Sequence, residues 1–240
     1  GNWRVEGMSD SSNVDFGKEY PEGDYGRGSS GGGVSSGAVS AFDNGSGVKI
    51  FGVQPTGSDF TPGNITLRLE NTSGTTINYL DVSYDIYVYN NEMRSNTCNF
   101  AYSIDDATYT SIGDLDYAST AAEDAVPVWE QVPRSTTITG LTWANGEYIY
   151  LQWQSSDSGS GSSDEFGISN LSVTEGAAPV TYYPVTFNVD MMDPYLKGLV
   201  NPATQSVYVE GTYTGGGNLL AELARVGESS IYTITINDTF

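Results

Sequence analysis

Apolar and polar residues alternate with a period of two along several stretches of the chain. The clearest rows are 65–70, 80–89 and 148–154, which are rich in aromatic and β-branched residues and bounded by Gly, Asn, Pro or Ser. Successive side chains of a strand point to opposite faces, so each row predicts a strand with one buried face. In the longest row the inward positions are expected to be Leu80, Val82, Tyr84, Ile86 and Val88.

Helical periodicity is weak throughout. Only 118–126 (ASTAAEDAV) and 219–226 (LLAELARV) are candidates for helices, and both could equally be loop and strand. Short strands that recur with turn-forming residues between them favour an all-β chain. We therefore predict a jelly-roll-like β-sandwich followed by a second, incomplete immunoglobulin-like β-sandwich.

Turn signals place the later strands of the first domain. Asn145-Gly146 predicts a hairpin that joins a strand at 136–143 to one at 147–154. The Ser-, Gly- and Asp-rich stretch 155–164 then reads as a loop within the same domain. It leads into a closing strand over 166–173, with a bulge expected near Ser169-Asn170, where the alternation changes phase.

The domain boundary is expected in EGAAPVTYYP, a segment of small residues with two prolines. The predicted organisation is a first domain at 1–175, a linker at 176–184 and a partial immunoglobulin-like domain at 185–240. The second domain is expected to be too short for a whole sandwich of its type. Either the chain continues past Phe240, or a neighbouring subunit supplies the missing strand, which would make the protein self-associate.

The charge and the composition of the chain argue against several classes of partner and of catalytic site. The chain has 30 Asp and Glu against 9 Lys and Arg, a net charge of −21, which disfavours nucleic-acid partners and anionic membrane surfaces. No apolar run reaches about 18 residues, so no membrane insertion is expected. Histidine is absent and Cys98 is the single cysteine. This excludes Ser-His-Asp and Cys-His catalysis and an intrachain disulfide, and we expect no enzyme activity.

One strand face has the composition of a sugar-binding surface. The residues that alternate with the inward row at 80–88 combine tyrosines with carboxylates, and ring faces pack on sugar C–H groups while carboxylates accept hydroxyl hydrogen bonds. The alternative is that this face is covered, or is an ordinary tyrosine-rich strand surface. The predicted ligand-binding residues are Tyr79, Asp81, Asp85, Tyr87 and Tyr89.

Carboxylates near turns are candidates for a structural calcium ion, the one cofactor expected. Calcium takes six to eight oxygen ligands, often from a glycine-containing loop. None of the acidic clusters has the spacing of an EF-hand loop. The candidate calcium ligands are Asp105, Asp106, Asp157, Asp164 and Glu165.

Four segments, taken in their order along the chain, resemble a known module. They are GVQPTGSDFTPGNITLRLEN, LDVSYDIYVYNNEMRSNTCNFAYSIDDATYTSI, VPRSTTITGL and SSDEFGISNLSV. Together they resemble a β-sandwich module of secreted, multidomain bacterial surface proteins that are exported with a C-terminal sorting domain. The resemblance implies a jelly-roll-like fold and an extracellular or cell-surface location, but no catalytic set. In the related pattern an Asp-Asp pair follows DEF. Here Ser169-Asn170 replaces it, so part of any cation site there is lost.

The segment YPVTFNVDMMDPYLKGLVNPATQSVYVEGTYTGGGNLL resembles the start of an immunoglobulin-like or starch-binding-like sandwich. In the starch-binding relatives an aromatic residue that stacks on sugar is expected in the turn after the second strand. This chain has glycines in that turn, at 215–217. The resemblance therefore implies a β-sandwich and weakens a glycan-binding role for the second domain.

Three functions follow from these features. The leading hypothesis is a non-catalytic module of a secreted or cell-surface protein that serves attachment or binds a polysaccharide or other surface glycan. The alternative is a structural subunit of an extracellular filament or surface layer, with strand exchange between subunits. The third is an accessory domain of a secreted hydrolase.

Overall fold

The chain forms two compact units, Gly1–Ala177 and Ala178–Phe240. The structure is a computed structural model. It describes residues 1–10, 13–20, 23–158, 162–179, 182–198, 201, 205–212, 218–226 and 231–239.

Nearly all regular structure is β. The strands of the first unit are β1 (Trp3–Glu6), β2 (Ser29–Ser30), β3 (Ala38–Asp43), β4 (Lys49–Gln54), β5 (Gly63–Glu70), β6 (Leu80–Tyr89), β7 (Ser95–Ser103), β8 (Thr110–Ser111), β9 (Tyr117–Ala118), β10 (Trp129–Ile138), β11 (Tyr148–Ser155), β12 (Asp157–Ser158) and β13 (Glu165–Glu175), with a 3₁₀ turn at Gly113–Leu115. The second unit contains β14 (Tyr182–Asp190), a short helix α1 (Met192–Leu196), β15 (Val207–Thr212), β16 (Asn218–Arg225) and β17 (Ile231–Thr239).

The first unit is a sandwich of two sheets. Sheet A has the order β1-β5-β11-β7, with the short strands β8, β9 and β12 also paired to β7. Sheet B has the order β10-β6-β13-β4-β3-β2. The predicted all-β, jelly-roll-like sandwich is confirmed. The described residues of the second unit form one antiparallel sheet, in the order β14-β17-β16-β15.

The inward row of β6 is confirmed, because each of its five side chains is at most 2% exposed. From sheet A, Trp153 lies in the middle of the core. Its ring centroid lies 5.4 Å from that of Tyr84, 5.5 Å from Phe100 and 5.9 Å from Trp3. Cys98 is buried in the same core, and burial raises the pKa of its thiol to about 12. Apolar burial of this extent is the main stabilising term of a domain of this size.

The predicted hairpin at Asn145-Gly146 is wrong, although the turn exists. The strand before it, β10, pairs with β6 in sheet B, whereas β11 pairs with β5 and β7 in sheet A. The turn therefore carries the chain from one sheet to the other. The Gly146 amide donates to the Asn71 carbonyl at 2.7 Å, so the turn is held by the loop after β5.

Other local predictions have mixed outcomes. The bulge in β13 is confirmed, since the register with β6 shifts between Ser169 and Ser172 and Asn170 has a positive φ of 52°. The stretch 219–226 is mainly strand and 118–126 mainly loop, so neither is a helix. Strand β14 begins at Tyr182, so the last three residues of the expected linker are strand. Among the described residues, no helix is both long and apolar enough to span a membrane.

Candidate functional site

The five predicted sugar-binding residues do not form an exposed platform. Tyr87 is 2% exposed and belongs to a small cluster with Phe42 and Ile50 on the outer face of sheet B. Tyr89 packs on Trp129, with ring centroids 5.4 Å apart. Tyr79 precedes β6. A ligand cannot stack on the Tyr87 ring without opening this cluster, so the predicted platform is corrected.

Two facing glycines explain why Tyr87 is covered. Gly52 of β4 and Gly167 of β13 are cross-strand neighbours, and Gly167 is also paired with Tyr87. A Cβ atom on Gly52 would lie 2.6 Å from the Phe42 ring. The missing side chains leave a trough in which Phe42 lies. Trp129, whose centroid is 5.0 Å from that of Phe42, packs against it.

The two predicted carboxylates of β6 bond to neighbouring strands. Asp81 accepts a hydrogen bond from the Thr137 hydroxyl at 2.5 Å, and Asp85 accepts one from the Asn170 amide at 2.6 Å. Both pairs are exposed, so each contributes little to stability. They align the strands that flank β6 and do not form a shared site with the tyrosines.

Partly exposed tyrosines lie together on the outer face of sheet A, with mainly amides and arginines beside them instead of the carboxylates predicted on β6. The register of β1, β5, β11 and β7 brings aromatic, amide and arginine side chains to this one surface, which we call the sheet A face. Its members are Arg4, Glu6, Asn64, Thr66, Arg68, Glu70, Asn99, Ala101, Ser103, Tyr148, Tyr150, Gln152 and Gln154.

Aromatic rings gather at one end of the sheet A face. Tyr148 and Tyr150 alternate with the buried Ile149 and Leu151, and their ring centroids are 6.5 Å apart. Phe16, from the loop after β1, lies over the same end with its centroid 5.8 Å from that of Tyr150. All three rings are partly exposed. Their distances are those of ordinary aromatic packing.

Amide side chains line the other end. The Gln152 amide donates to the Thr66 hydroxyl at 3.0 Å, and the Gln154 amide donates to the Gln152 carbonyl oxygen at 2.6 Å. Asn64, Asn99 and Gln154 line a pocket of about 240 Å³ next to this row. Thr66 and Gln152 form a buried floor, while the pocket residues are partly exposed. This end of the face offers several donors and acceptors in a line.

An ion pair fixes one edge of the face. Arg4 donates two hydrogen bonds to Asp106, at 2.7 and 2.8 Å, and the Tyr109 hydroxyl donates a third at 2.6 Å. Burial alone would raise the pKa of Asp106, but the hydrogen bonds from Arg4 and Tyr109 hold it below its ordinary value. The paired geometry ties the 105–109 loop to β1.

The candidate calcium ligands all make contacts within the protein. Asp106 is bound by Arg4, and Asp157 pairs with Arg94 at 2.5 Å. Asp105 accepts from the Ala107 and Thr108 amides, and these hydrogen bonds lower its pKa to about 2. Among the described residues, no three His, Cys, Asp or Glu side chains gather as metal ligands would. Bound calcium stays a prediction.

Asp164 and Glu165 are buried rather than displayed on a loop. Asp164 accepts from the Glu92 amide at 3.1 Å and the Ser119 hydroxyl at 2.8 Å, and Glu165 accepts from the Val34 amide at 2.6 Å. Burial raises the pKa of both carboxyl groups, that of Glu165 to about 7. These acids hold three loops together at the start of β13. The sequence predicted neither this burial nor the sheet A face.

Comparisons with known proteins leave the ligand open. No family model and no curated protein matches this chain. A CBM4 structure is similar over 73% of this chain and 95% of its own, at 11% identity and a TM-score of 0.36. The non-crystalline-cellulose-specific module CBM28 has 11% identity and a TM-score of 0.36 over 55% of this chain and 76% of its own.

Two further solved structures are similar at the same level. TmCBM61, in complex with β-1,4-galactotriose, has 8% identity and a TM-score of 0.31 over 54% of this chain and 70% of its own. The enzymatically active domain of tailspike protein 4 of bacteriophage CBA120 has 11% identity and a TM-score of 0.32, and the match covers 52% of this chain and 15% of that one. Such TM-scores decide neither the fold nor the ligand of this chain.

Proposed function

We propose that this chain is a non-catalytic, glycan-binding module that acts outside the cell, and that the sheet A face binds the glycan. The observation that carries the proposal is the combination, on one face, of three partly exposed aromatic rings with a row of amide side chains. The aromatic rings are Phe16, Tyr148 and Tyr150.

The chemistry of a sugar chain matches these two groups. The apolar C–H faces of pyranose rings pack on aromatic rings, and sugar hydroxyl groups exchange hydrogen bonds with amides. The aromatic end would hold one sugar residue, and the amide row with its pocket would hold the next. Because all of these side chains except that of Phe16 stand on adjacent strands of one sheet, little ordering is needed on binding.

Asp106 at the edge of the sheet A face and Glu70 on it support binding rather than hydrolysis. A glycosidase uses two carboxyl groups on either side of the scissile bond, one of them free to donate a proton. Asp106 is instead held ionised by Arg4 and Tyr109. Glu70 accepts a hydrogen bond from the Tyr148 hydroxyl at 3.4 Å. Attachment to a polysaccharide is the function that this arrangement serves best.

Affinity electrophoresis and calorimetry against a panel of soluble polysaccharides test the proposal. Replacing Tyr150 with alanine removes the central ring, and we expect at least one bound polysaccharide to lose about tenfold in affinity, or about 1.4 kcal/mol. Tyr79→Ala is the matched control, since Tyr79 is a partly exposed tyrosine before sheet B. Equal binding by both variants and the unaltered chain would show that the binding site is not at Tyr150 on the sheet A face. Absence of binding to every polysaccharide would reject the function.

A further inference from the structure

Arg68 lies at the aromatic end of the sheet A face. It belongs to β5 and pairs across the strands with Tyr150. Its guanidinium carbon is 4.6 Å from the centroid of Phe16 and 4.7 Å from that of Tyr148. Two rings therefore hold the planar group in place, and cation–π attraction adds to the packing.

Arg68 differs from the other arginines of the first unit in having no acceptor. Arg4, Arg27 and Arg94 pair with carboxylates, and Arg134 donates to two backbone carbonyls. Within the described part of the chain, the Arg68 guanidinium makes no hydrogen bond or ion pair. With 30 acidic residues in the chain, an unpaired arginine is not explained by a shortage of carboxylates.

The accessible part of Arg68 is its outer end. The Nε atom is buried and has no hydrogen-bond partner among the described residues. Arg68 is partly exposed, and its two terminal nitrogens, which also lack a partner among the described residues, are not fully buried. Side by side in one plane, two such donors match the two oxygens of a carboxylate, and a paired hydrogen bond of this kind is strong and directional.

We propose that the glycan bound by the sheet A face carries carboxylate groups, as uronic acid residues do, and that Arg68 binds one of these carboxylates. The inference rests on the proposed glycan-binding function and names its substrate class. The rings of Phe16 and Tyr148 would hold the guanidinium in the orientation that the carboxylate needs. The sugar that carries this carboxylate would then lie beside Tyr150.

The net charge of the protein makes this inference easy to test. At −21 the chain repels an acidic polymer at long range, so general electrostatic attraction cannot account for binding of a polyuronate. Any such binding has to come from a local contact. Removal of the single charge of Arg68 should therefore have a large effect on a polyuronate and little effect on a neutral polymer.

Calorimetry of the whole chain with polygalacturonate, with alginate and with the carboxyl-reduced form of each is the experiment. EDTA is present so that calcium cannot bridge two acids. We expect the unaltered chain to bind at least one polyuronate at least tenfold more tightly than its reduced form. Arg68→Gln should lower the polyuronate affinity about tenfold and leave that of the reduced polymer within about twofold.

Two further variants keep the outcome clear. Arg68→Lys retains the charge without the planar pair of donors. Its affinity for the polyuronate should lie between those of the unaltered chain and Arg68→Gln. Lys49→Gln removes a charge from an exposed position on sheet B and should bind as the unaltered chain does. Thermal melting checks that every variant is folded.

Several results would overturn the inference. Equal affinity for the polyuronate and its reduced form would do so, and so would an Arg68→Gln variant with unchanged affinity. If Tyr150→Ala still weakens binding of a neutral polymer in that case, the glycan-binding function stands and only the carboxylate is rejected. If no polysaccharide binds, the function and the inference both fail.

Discussion

At the scale of single residues, two adjacent acids at the entry to β13 are fully buried: Asp164, just before the strand, and Glu165, its first residue. Glu165 accepts from Val34, and the Asn91 amide, in the orientation that satisfies both side chains, donates to its other oxygen at 2.9 Å. Burying a carboxylate is costly even when it is well hydrogen-bonded, so part of this cost is avoided when the group is protonated.

The titration of Glu165 predicts a pH effect on stability. Its pKa in the folded chain is about 7, above its ordinary value of 4.5, mainly because of burial. Ionisation therefore destabilises the folded state as pH rises from about 4.5 to 7, and below 4.5 the group has no such effect. Glu165→Gln does not titrate. Between pH 5 and pH 8 the unaltered chain should therefore lose roughly 2–3 kcal/mol more of its unfolding free energy than Glu165→Gln does.

Urea denaturation at several pH values measures this difference. Glu123→Gln is the control, because it makes the same chemical change at an exposed position. An identical profile for Glu165→Gln and the unaltered chain would show that Glu165 does not titrate in this range.

At the scale of elements, the close approach of β4 and β13 decides which face of the sandwich is open. A Cβ atom on Gly167 would lie 2.5 Å from the Gly52 Cα and 2.5 Å from the Phe51 carbonyl oxygen. Both atoms belong to the backbone of the neighbouring strand and cannot move independently. The strands can therefore pair at this point only when both residues are glycine, and Phe42 then covers them.

Replacing Gly167 with alanine should be strongly destabilising. The added methyl group forces β4 and β13 apart, with an expected loss of about 1–3 kcal/mol or more. Gly57→Ala is the control, because nothing lies within 4 Å of the Cβ position there, and it should change stability by less than about 0.5 kcal/mol. Chemical denaturation measures both. Equal stability of the two variants would contradict the close packing.

Alternation along the chain predicted strands well and their pairing poorly. The rows at 65–70, 80–89 and 148–154 are strands because the side-chain period of two is a local property. Pairing depends on contacts distant in sequence, so nothing local shows that β10 and β11 lie in different sheets. The Asn145-Gly146 signal identifies a tight turn, but the partners of the two strands decide whether that turn closes a hairpin.

The same distinction applies to the candidate site. The alternation of Tyr148 and Tyr150 with buried residues shows that the two tyrosines share a face, which is visible in the sequence. Phe16 and Arg68 join them from positions far away in the chain, and this proximity cannot be seen in the sequence. The burial of Tyr87 depends on a pair of glycines in two other strands, so a tyrosine-rich row alone could not reveal it.

At the scale of the whole molecule, strands from the last part of the first unit lie inside both of its sheets. Strand β13 lies between β6 and β4 in the middle of sheet B, while β11 lies in the middle of sheet A. The stretch between β11 and β13 therefore connects the two sheets. Strand β13 pairs with β6 along its length, apart from the bulge, and with β4 over residues 166–168, and its side chains Phe166 and Ile168 lie in the core.

A cut between Ser158 and Ser162 should leave the two pieces associated. A specific protease site inserted in this stretch and cleaved under native conditions should give one peak of unchanged elution volume in size-exclusion chromatography, and two bands on a denaturing gel. The ladders and core contacts of β13 do not depend on the connection that is cut. A site inserted at 178–181, between the two units, is the comparison. Release of the C-terminal piece after the cut at 158–162 would contradict the sandwich topology.

The buried thiol in the core has a practical consequence. Cys98 is the only sulfhydryl of the chain, and with its pKa raised to about 12 it is almost wholly protonated and shielded at neutral pH. A second cysteine placed on the surface would therefore be the only position that maleimide reagents modify in the folded protein. A fluorophore or spin label attached beside the sheet A face could report ligand contact directly, without first removing a residue from the core.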